Sequence, residues 1–289
     1  MMFSGLLADA AGRIGARLER ALGDRADQPV IEAMRYALAG GKRLRGFLVL
    51  EGARLHDVPP EAALEAAAAV EALHAYSLVH DDLPAMDDDD LRRGQPTVHV
   101  KWDEATAILA GDALQTLAFE LLAAPVIGPA ERRVDLIATL ARAAGAEGMV
   151  LGQALDIAAE TAGRQLTLDE ITALQAGKTG ALIRWSAEAG ARLAGGDPLP
   201  LGRYAAALGL AFQIADDILD VEGDAAKAGK RVGKDAARGK ATFVSLLGLD
   251  GAKARAKALV AEAEAALAPY GARAETLKEA ARFVIARES

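Results

Sequence analysis

Cysteine is absent from the 289-residue chain, and its absence excludes disulfide frameworks, thiolate zinc sites and cysteine nucleophiles. Aromatic residues make up only 4% of the sequence, and β-branched residues are comparatively scarce, which disfavours sheet structure. Alanine, the strongest helix former, is abundant. We therefore expect an all-α protein in which carboxylate, histidine and hydroxyl groups carry any chemistry.

Positive charge is also in short supply, because 33 Lys and Arg residues stand against 41 Asp and Glu residues and the formal net charge is -8. This balance disfavours binding to nucleic acid. No uncharged run approaches the roughly 20 residues that a membrane-spanning helix requires. The N-terminal residues also lack the basic region that begins an export signal. We expect a cytoplasmic protein that binds no nucleic acid and makes no stable membrane insertion.

Neither a Ser/Gly/Pro-rich linker nor a fixed-period repeat divides the chain, so we predict one domain over residues 1–289. Helical spacing of apolar residues predicts long helices, which cover residues 60–83, 104–123, 130–144, 168–192, 201–221 and 252 to the C-terminus. Several of these segments are nearly apolar all round, which is typical of helices buried in a large bundle.

The first acidic segment, HDDLPAMDDDDLRRG at residues 80–94, carries six aspartates within ten positions. A solvated acidic turn is the simplest interpretation of such a run. However, Asp81 and Asp82 follow an apolar helix, whose C-terminal end disfavours anions, so they require a nearby cation. Pro84 interrupts that helix and can turn Asp87 back towards Asp81. Carboxylates brought together in this way suit a hard divalent cation.

The second acidic segment, FQIADDILD at residues 212–220, lies in another apolar helix. Asp216 and Asp220 are four residues apart and share a helix face, with Asp217 beside them. An exposed helix end with repelling carboxylates would explain this segment alone. Two acidic segments on two apolar helices instead predict Mg²⁺ ions that bind a polyphosphate ligand.

Basic residues accompany both acidic segments. Lys42 and Arg45 belong to the sequence GGKRLR, while Arg92 and Arg93 directly follow the first run of aspartates. Lys178 and the lysines at 230, 234 and 240 form a third basic group. Each would be an ordinary surface charge alone, but together they indicate an anionic ligand, and Arg is suited to bidentate phosphate contact.

Other kinds of site fit these residues less well than a magnesium and polyphosphate site. The glycine spacing fits no Walker A loop, and the first acidic segment lacks the central glycine of an EF-hand. The His80-Asp81 pair, with His56 or His74 as a further ligand, is typical of all-α metal phosphohydrolases. That rival leaves the second acidic segment and the basic residues unused. A non-catalytic helical partner protein would need neither acidic segment.

The ordered motifs resemble those of trans-isoprenyl diphosphate synthases, most closely the bacterial farnesyl diphosphate synthases. Besides the two acidic segments, the matching motifs are GGKRLR at 40–45, PTVH at 96–99, GQALD at 152–156, KT at 178–179 and GKRVGKD at 229–235. One departure is Gly46, because the family usually has proline after this arginine.

The resemblance implies an all-α isoprenoid synthase fold, with long helices around a central cavity, usually in a homodimer. It implies an enzyme that condenses isopentenyl diphosphate with dimethylallyl or geranyl diphosphate to give farnesyl diphosphate, a C15 product. Ionisation of the allylic diphosphate would leave a carbocation, which the isopentenyl double bond attacks. Three Mg²⁺ ions per active site are implied, with Mn²⁺ as a substitute.

The resemblance also assigns roles to individual residues. Metal ligands are expected among Asp81, Asp82, Asp87, Asp216, Asp217 and Asp220. The allylic diphosphate is expected to contact Arg92, Lys178, Lys230 and Lys240. Isopentenyl diphosphate is expected to contact Lys42, Arg45, His74 and Arg93. Oxygen atoms of Thr179 and Gln213 are expected to face the carbocation.

Product length is expected to depend on Tyr76 and Ser77, one turn before Asp81, as the floor of the cavity. One isoprene unit is comparable to the ~5.4 Å pitch of a helix, so a bulky residue at this level can separate C15 from C20 products. Tyr76 resembles the aromatic residue of bacterial C15 synthases, and a C20 synthase is the alternative. A terpene cyclase is less favoured, because such enzymes commonly carry an Asn/Ser/Glu metal motif on the second helix and more aromatic residues.

Overall fold

The computed structural model describes residues 3–23, 25–160, 164–222 and 241–286. These residues form helices joined by short turns, and the strand structure among them is one antiparallel ladder of two-residue strands. The all-α prediction is therefore confirmed for this part of the chain. The elements are α1 (Phe3–Gly23), α2 (Pro29–Leu38), α3 (Leu44–Leu55), α4 (Pro60–Asp81), β1 (Leu91–Arg92), β2 (Gln95–Pro96), α5 (Val98–Lys101), α6 (Glu104–Leu122), α7 (Ala130–Ala144), α8 (Met149–Glu160), α9 (Leu168–Gln175), a π-helical turn (Ala176–Gly180), α10 (Ala181–Ala194), α11 (Leu199–Glu222), α12 (Phe243–Ala266) and α13 (Glu275–Ala286), with 3₁₀ turns at Pro125–Ile127 and Ala268–Ala274.

The helices divide into two compact units. The first contains residues up to 138 together with 189–196, and the second contains 139–188 and the residues from 197 onwards. The prediction of one domain over the whole chain stays a prediction.

Helix α4 is the core of the first unit and packs against α1, α3 and α6. Its alanine-rich sequence is buried on every side from Ala66 to Leu73. Small side chains allow neighbouring helices to approach closely on all faces, and Phe47, Leu48 and Leu114 fill the space between them. Both α4 and α6 are long and apolar enough to cross a membrane, but 72% and 44% of their apolar windows are buried in the protein.

Helix α11 has the corresponding position in the second unit, where it packs against α12 and α13. Tyr204 on α11 is fully buried, and its hydroxyl group donates a hydrogen bond of 2.8 Å to the carbonyl oxygen of Leu277 on α13. This bond satisfies a polar group inside an apolar core and joins the two helices.

The prediction of one continuous helix over residues 168–192 is wrong in one respect. A π-helical turn interrupts the helix between α9 and α10. Two glycines, Gly177 and Gly180, lie in this turn and have low helix propensity. The apolar periodicity on both sides made the interruption invisible in the sequence.

Tyr204→Phe is expected to lower the free energy of unfolding by about 1–2 kcal/mol, because it leaves the Leu277 carbonyl group buried without its donor. Urea denaturation measures the change. Tyr36→Phe is the matched control, since the Tyr36 hydroxyl also donates to a carbonyl group, that of Pro96 at 2.7 Å, but at an exposed position where water can replace it. Equal losses in the two variants would contradict the role assigned to Tyr204.

Candidate active site

The first acidic segment folds back on the end of α4. The backbone N–H of Asp87 donates to the carbonyl oxygen of Asp81 at 2.8 Å, and that of Asp89 donates to Asp82 at 3.3 Å. The prediction that the chain turns at Pro84 and returns Asp87 to Asp81 is therefore confirmed. The turn brings the backbone of Asp87 into direct contact with the backbone of Asp81, six residues earlier.

Asp82 occupies the C-terminal cap of α4 and has the cation that the sequence requires there. The Arg92 Nε atom donates to both oxygens of the Asp82 carboxylate, at 2.7 and 2.9 Å. The Asp82 residue is only 3% exposed. Burial raises the pKa of its carboxyl group, and the bonds to Arg92 oppose that rise. Asp82 thus has a structural partner in Arg92, whereas its metal-binding role stays a prediction.

The turn between β1 and β2 is made by Arg93 and Gly94, with φ angles of 53° and 73°. Two positive φ angles are typical of a type I′ hairpin turn, which favours Asn-Gly. Arginine at the first position is unusual and costs backbone strain. The Arg93 guanidinium lies against Gly41, whose φ is +82° and where a Cβ atom would lie 2.7 Å from Arg93 Nη1. The strained backbone and the glycine together hold this cation in place.

Arg45, in the first turn of α3, contacts His74 on α4. The distance from Arg45 Nη1 to His74 Nε2 is 3.1 Å. Burial lowers the pKa of His74 well below its ordinary value, and the charges of Arg45, Arg93 and Arg92 lower it further. His74 is therefore neutral and accepts this bond at Nε2, so it orients Arg45. The Arg45 Nε atom is buried and has no hydrogen-bond partner among the described residues.

The start of α3 concentrates positive charge. Lys42 is exposed just before it, and no acidic residue occupies its first turn. Because a helix N-terminus already carries partial positive charge, cations at this end favour an anionic ligand. Arg43 is different, since its guanidinium donates to the carbonyl oxygens of Ala11 and Leu38 and links α1 and α2 to the loop.

A cavity of about 250 Å³ lies beside Arg92 and Arg93. Its remaining walls are partly polar, from Gln95 and Thr97, and partly apolar, from Leu78 and Val79. A lining of both polar and apolar residues suits a small molecule that carries a charged group on a hydrocarbon.

The two residues predicted to limit product length lie in the last turns of α4. The Tyr76 ring contacts the His80 ring edge to face, with centroids 5.0 Å apart. The Ser77 hydroxyl donates to the carbonyl oxygen of His74 at 2.8 Å. The structure therefore places the Tyr76 ring against His80.

The His80 ring hydrogen bonds to α6 and packs against it. Its Nε2 atom lies 3.1 Å from the carbonyl oxygen of Ile108 and is the donor of this bond. The ring fits over Gly111, where a Cβ atom would lie 2.1 Å from Nε2. This packing role gives no support to His80 as a metal ligand, which the phosphohydrolase interpretation requires.

Lys178, in the second unit, lies in the π-helical turn. Its Nζ atom forms an ion pair of 2.7 Å with Asp156 on α8. Gly152, one turn earlier on α8, packs so closely that a Cβ atom would lie 2.0 Å from the Lys178 backbone nitrogen. Sequence reasoning did not assign Asp156 or Gly152 a role, although both belong to the GQALD motif.

The second acidic segment lies near the C-terminal end of α11. Asp217 accepts a hydrogen bond of 2.7 Å from the backbone N–H of Phe243, the first residue of α12. Asp216 and Asp220 share a face of α11, as predicted, and Gln213 and Thr179 are half-buried. Lys230 and Lys240 lie outside the described residues, as does the GKRVGKD motif.

The fit to a divalent metal rests on the donor set of each unit taken separately. Carboxylate oxygens, the ligands that Mg²⁺ prefers, are supplied in the first unit by Asp81 and Asp87 and in the second unit by Asp216 and Asp220. Within the described ranges, no three His, Asp or Glu side chains converge closely enough to form a preformed metal cage. These pairs fit an ion that also binds ligand oxygens and water, as Mg²⁺ does.

Glu71 is a further residue that sequence reasoning missed. It is 8% exposed in the middle of α4 and accepts a hydrogen bond of 2.8 Å from the backbone N–H of Gly46. A glutamate three residues before His74 in an alanine-rich segment was the available signal.

Comparisons with known proteins agree with this geometry. The family model for polyprenyl synthetase matches residues 27–279. Farnesyl diphosphate synthase of Haemophilus influenzae is 47% identical over 273 residues, covering 90% of this chain and 90% of that protein. Farnesyl diphosphate synthase of Escherichia coli is 52% identical over 248 residues, covering 83% and 82%. The crystal structure of an FPP/GFPP synthase from Zymomonas mobilis matches with a TM-score of 0.90 at 44% identity, covering 98% of both chains.

Gly152→Ala is expected to lower the free energy of unfolding by more than about 2 kcal/mol, because a methyl group there meets backbone that cannot move aside. Chemical denaturation measures it. Gly12→Ala is the matched control, since nothing lies within 4 Å of a Cβ atom at this helical position, and a gain of about 0.5–1 kcal/mol is expected there. A neutral Gly152→Ala would show that α8 and the π-helical turn separate easily.

Proposed function

Because the chain belongs to the polyprenyl synthetase family, we propose that it condenses isopentenyl diphosphate with dimethylallyl and geranyl diphosphates to give farnesyl diphosphate. The observation that carries this proposal is the set of cations that includes Arg45, held by His74, and Arg93, which lines a cavity with both polar and apolar walls. The names of the two relatives described above support the C15 product. A phosphohydrolase is not supported, because His80 is engaged with α6.

The reaction breaks the C–O bond between the allylic carbon and its diphosphate, which leaves with both electrons. The double bond of isopentenyl diphosphate then attacks the allylic cation, and loss of a proton restores an alkene. Cationic side chains stabilise negative charge on the departing oxygens. We assign Lys178 and Arg92 to that task, with Lys230 and Lys240, and Thr179 and Gln213 to the cation.

Isopentenyl diphosphate is assigned to Lys42, Arg45 and Arg93, and His74 acts on it through Arg45. The guanidinium groups offer paired N–H donors that match phosphate oxygens. The Arg45 Nε–H group, which has no hydrogen-bond acceptor among the described residues, can donate to a phosphate oxygen. No aspartate of the acidic segments is needed for this substrate.

The metal is proposed to be Mg²⁺, three ions per active site, with Mn²⁺ as a substitute. The ligands are proposed to come from Asp81, Asp82, Asp87, Asp216, Asp217 and Asp220. Of these, Asp82 also binds Arg92 and Asp217 also accepts from the Phe243 N–H. When bound, the ions neutralise the diphosphate that leaves.

We propose a cytoplasmic homodimer, a single domain in each copy. Exposed apolar side chains support association: Ile108 and Leu109 on α6 are 44% and 57% exposed, and Val150 and Leu151 on α8 are 44% and 45% exposed. Exposed apolar side chains that are neighbours on one helix, as on α6 and separately on α8, are typical of protein interfaces.

Product length is tested by incubating the enzyme with labelled isopentenyl diphosphate, Mg²⁺ and a C5, C10 or C15 allylic diphosphate, followed by chromatography. The wild type is expected to stop at C15. Tyr76→Ala is expected to give longer chains, because it removes the ring that limits the space before Asp81. Ser77→Ala removes only a hydroxyl group, so it is expected to shift the products less. A wild type that makes mainly C20, or unchanged products from Tyr76→Ala, would contradict the assignment.

Asp81→Ala is expected to lower turnover by about 10²-fold or more at saturating Mg²⁺, since it removes a group that stabilises the leaving diphosphate. Steady-state assays measure the loss. Asp90→Ala is the control from the same acidic segment, where the side chain is exposed and has no assigned role. Similar rates in the two variants would remove Asp81 from the metal site.

Arg93→Asn separates stability from binding. Asn-Gly is the preferred type I′ turn, so the melting temperature is expected to stay equal or rise. The KM for isopentenyl diphosphate is expected to rise by about 10-fold or more, because a charge-assisted bond is lost. The KM for geranyl diphosphate should change less. Equal changes in both KM values would reject Arg93 as a specific contact of isopentenyl diphosphate.

A further inference from the structure

Glu71 is a buried carboxylate that the proposed mechanism does not use. The charged groups that face it are the guanidinium groups of Arg45, Arg43 and Arg93, here called the arginine cluster. Burial raises the pKa of Glu71, while the Gly46 N–H and the three arginines oppose that rise and favour the ionised form. Glu71 lies one helical turn before His74, which contacts Arg45 at 3.1 Å, and it accepts from the N–H of the residue after Arg45 at 2.8 Å. This carboxyl group therefore lies among the cations assigned to the diphosphate of isopentenyl diphosphate.

Gly46 fixes the position of this carboxylate. As the third residue of α3, Gly46 has a backbone N–H without an intrahelical acceptor, and Glu71 accepts from it at 2.8 Å. A Cβ atom at this position would lie 2.6 Å from Ile14 Cδ1 and 3.1 Å from Glu71 Cγ. Proline, the residue expected here from the family resemblance, has no N–H to donate. The bond that anchors Glu71 thus depends on the residue at which this chain departs from the family's usual proline.

Glu71 and a bound diphosphate attract the same cations and repel each other. An arginine that loses water on burial needs a compensating negative charge. In the absence of ligand, Glu71 supplies that charge to Arg45. With ligand present, two anions share the arginine cluster, and part of the binding energy is offset by their repulsion.

We propose that Glu71 is an internal counter-ion that stabilises the arginine cluster without ligand and thereby lowers its affinity for isopentenyl diphosphate. Glu71 acts through the arginines and is a positioning residue, not a catalytic one. The inference rests on the proposed function, since it requires that this substrate bind at Arg45.

Glu71→Gln tests the proposal, because the amide oxygen still accepts from Gly46 while the charge is removed. Thermal unfolding in EDTA, with increasing inorganic pyrophosphate as the probe, gives the melting temperature and an apparent Kd. The ligand-free melting temperature is expected to fall, and the Kd to fall by about fivefold, since a repelling charge is lost. The KM for isopentenyl diphosphate should fall in parallel, and that for geranyl diphosphate should stay unchanged.

Glu65→Gln is the matched control. Glu65 is also a buried glutamate of α4, but it binds Arg17 at 2.8 Å and is not among the acidic groups that act on Arg43, Arg45 or Arg93. Its substitution should lower the melting temperature without changing the Kd. Glu71→Met, of similar volume and also uncharged, is the second variant if Glu71→Gln does not fold, and the same fall in Kd is expected.

An unchanged or raised Kd in a folded Glu71 variant would overturn the proposal, because Glu71 would then act only as a structural group. The underlying site is tested separately with wild type and Arg45→Gln. Stabilisation of the wild type by pyrophosphate that is lost in Arg45→Gln supports the site. No stabilisation, or stabilisation that persists in Arg45→Gln, would overturn both the site assignment and the counter-ion.

Discussion

The ion pair between Asp82 and Arg92 is the interaction on which the geometry of the first unit's site depends. It places a guanidinium at the negative end of α4, where the aspartates would otherwise be disfavoured. It also closes the chain between residues 82 and 92, so that β1 and the Arg93-Gly94 turn follow at a fixed place. The acidic turn and the position of Arg93 are therefore two outcomes of one ion pair, and loss of Arg92 would leave the buried Asp82 carboxylate uncompensated.

Much of this could be predicted from the sequence. Alanine content and helical spacing indicated the fold class, and α7 begins and ends at the predicted residues, Ala130 and Ala144. The helix dipole predicted a cation for Asp82, and Pro84 predicted the return of Asp87. These predictions succeeded because each depends on local chemistry: a helix end, a residue that breaks helices, or a spacing of four.

The features that sequence reasoning missed depend on contacts between distant residues. Glu71 became part of the site only because α3 brings the Gly46 N–H to it, a separation of 25 positions. The partner of Asp156 is likewise known only because α8 packs against the π-helical turn, which brings in Lys178 from 22 positions away. In both cases the residue types were visible, but their partners could be found only from the packing of the helices.

The π-helical turn at Ala176–Gly180 has a consequence for how such sequences are aligned and edited. Compared with an α-helical turn, a π turn contains one additional residue in the same length of helix. Deleting one residue there would convert the π turn into an α-helical turn, so α9 and α10 would keep their faces while the side chains within the turn would change direction. Lys178 would then leave Asp156. A single-residue gap at this position in a related sequence therefore signals a changed environment for Lys178, even where the flanking sequence is intact.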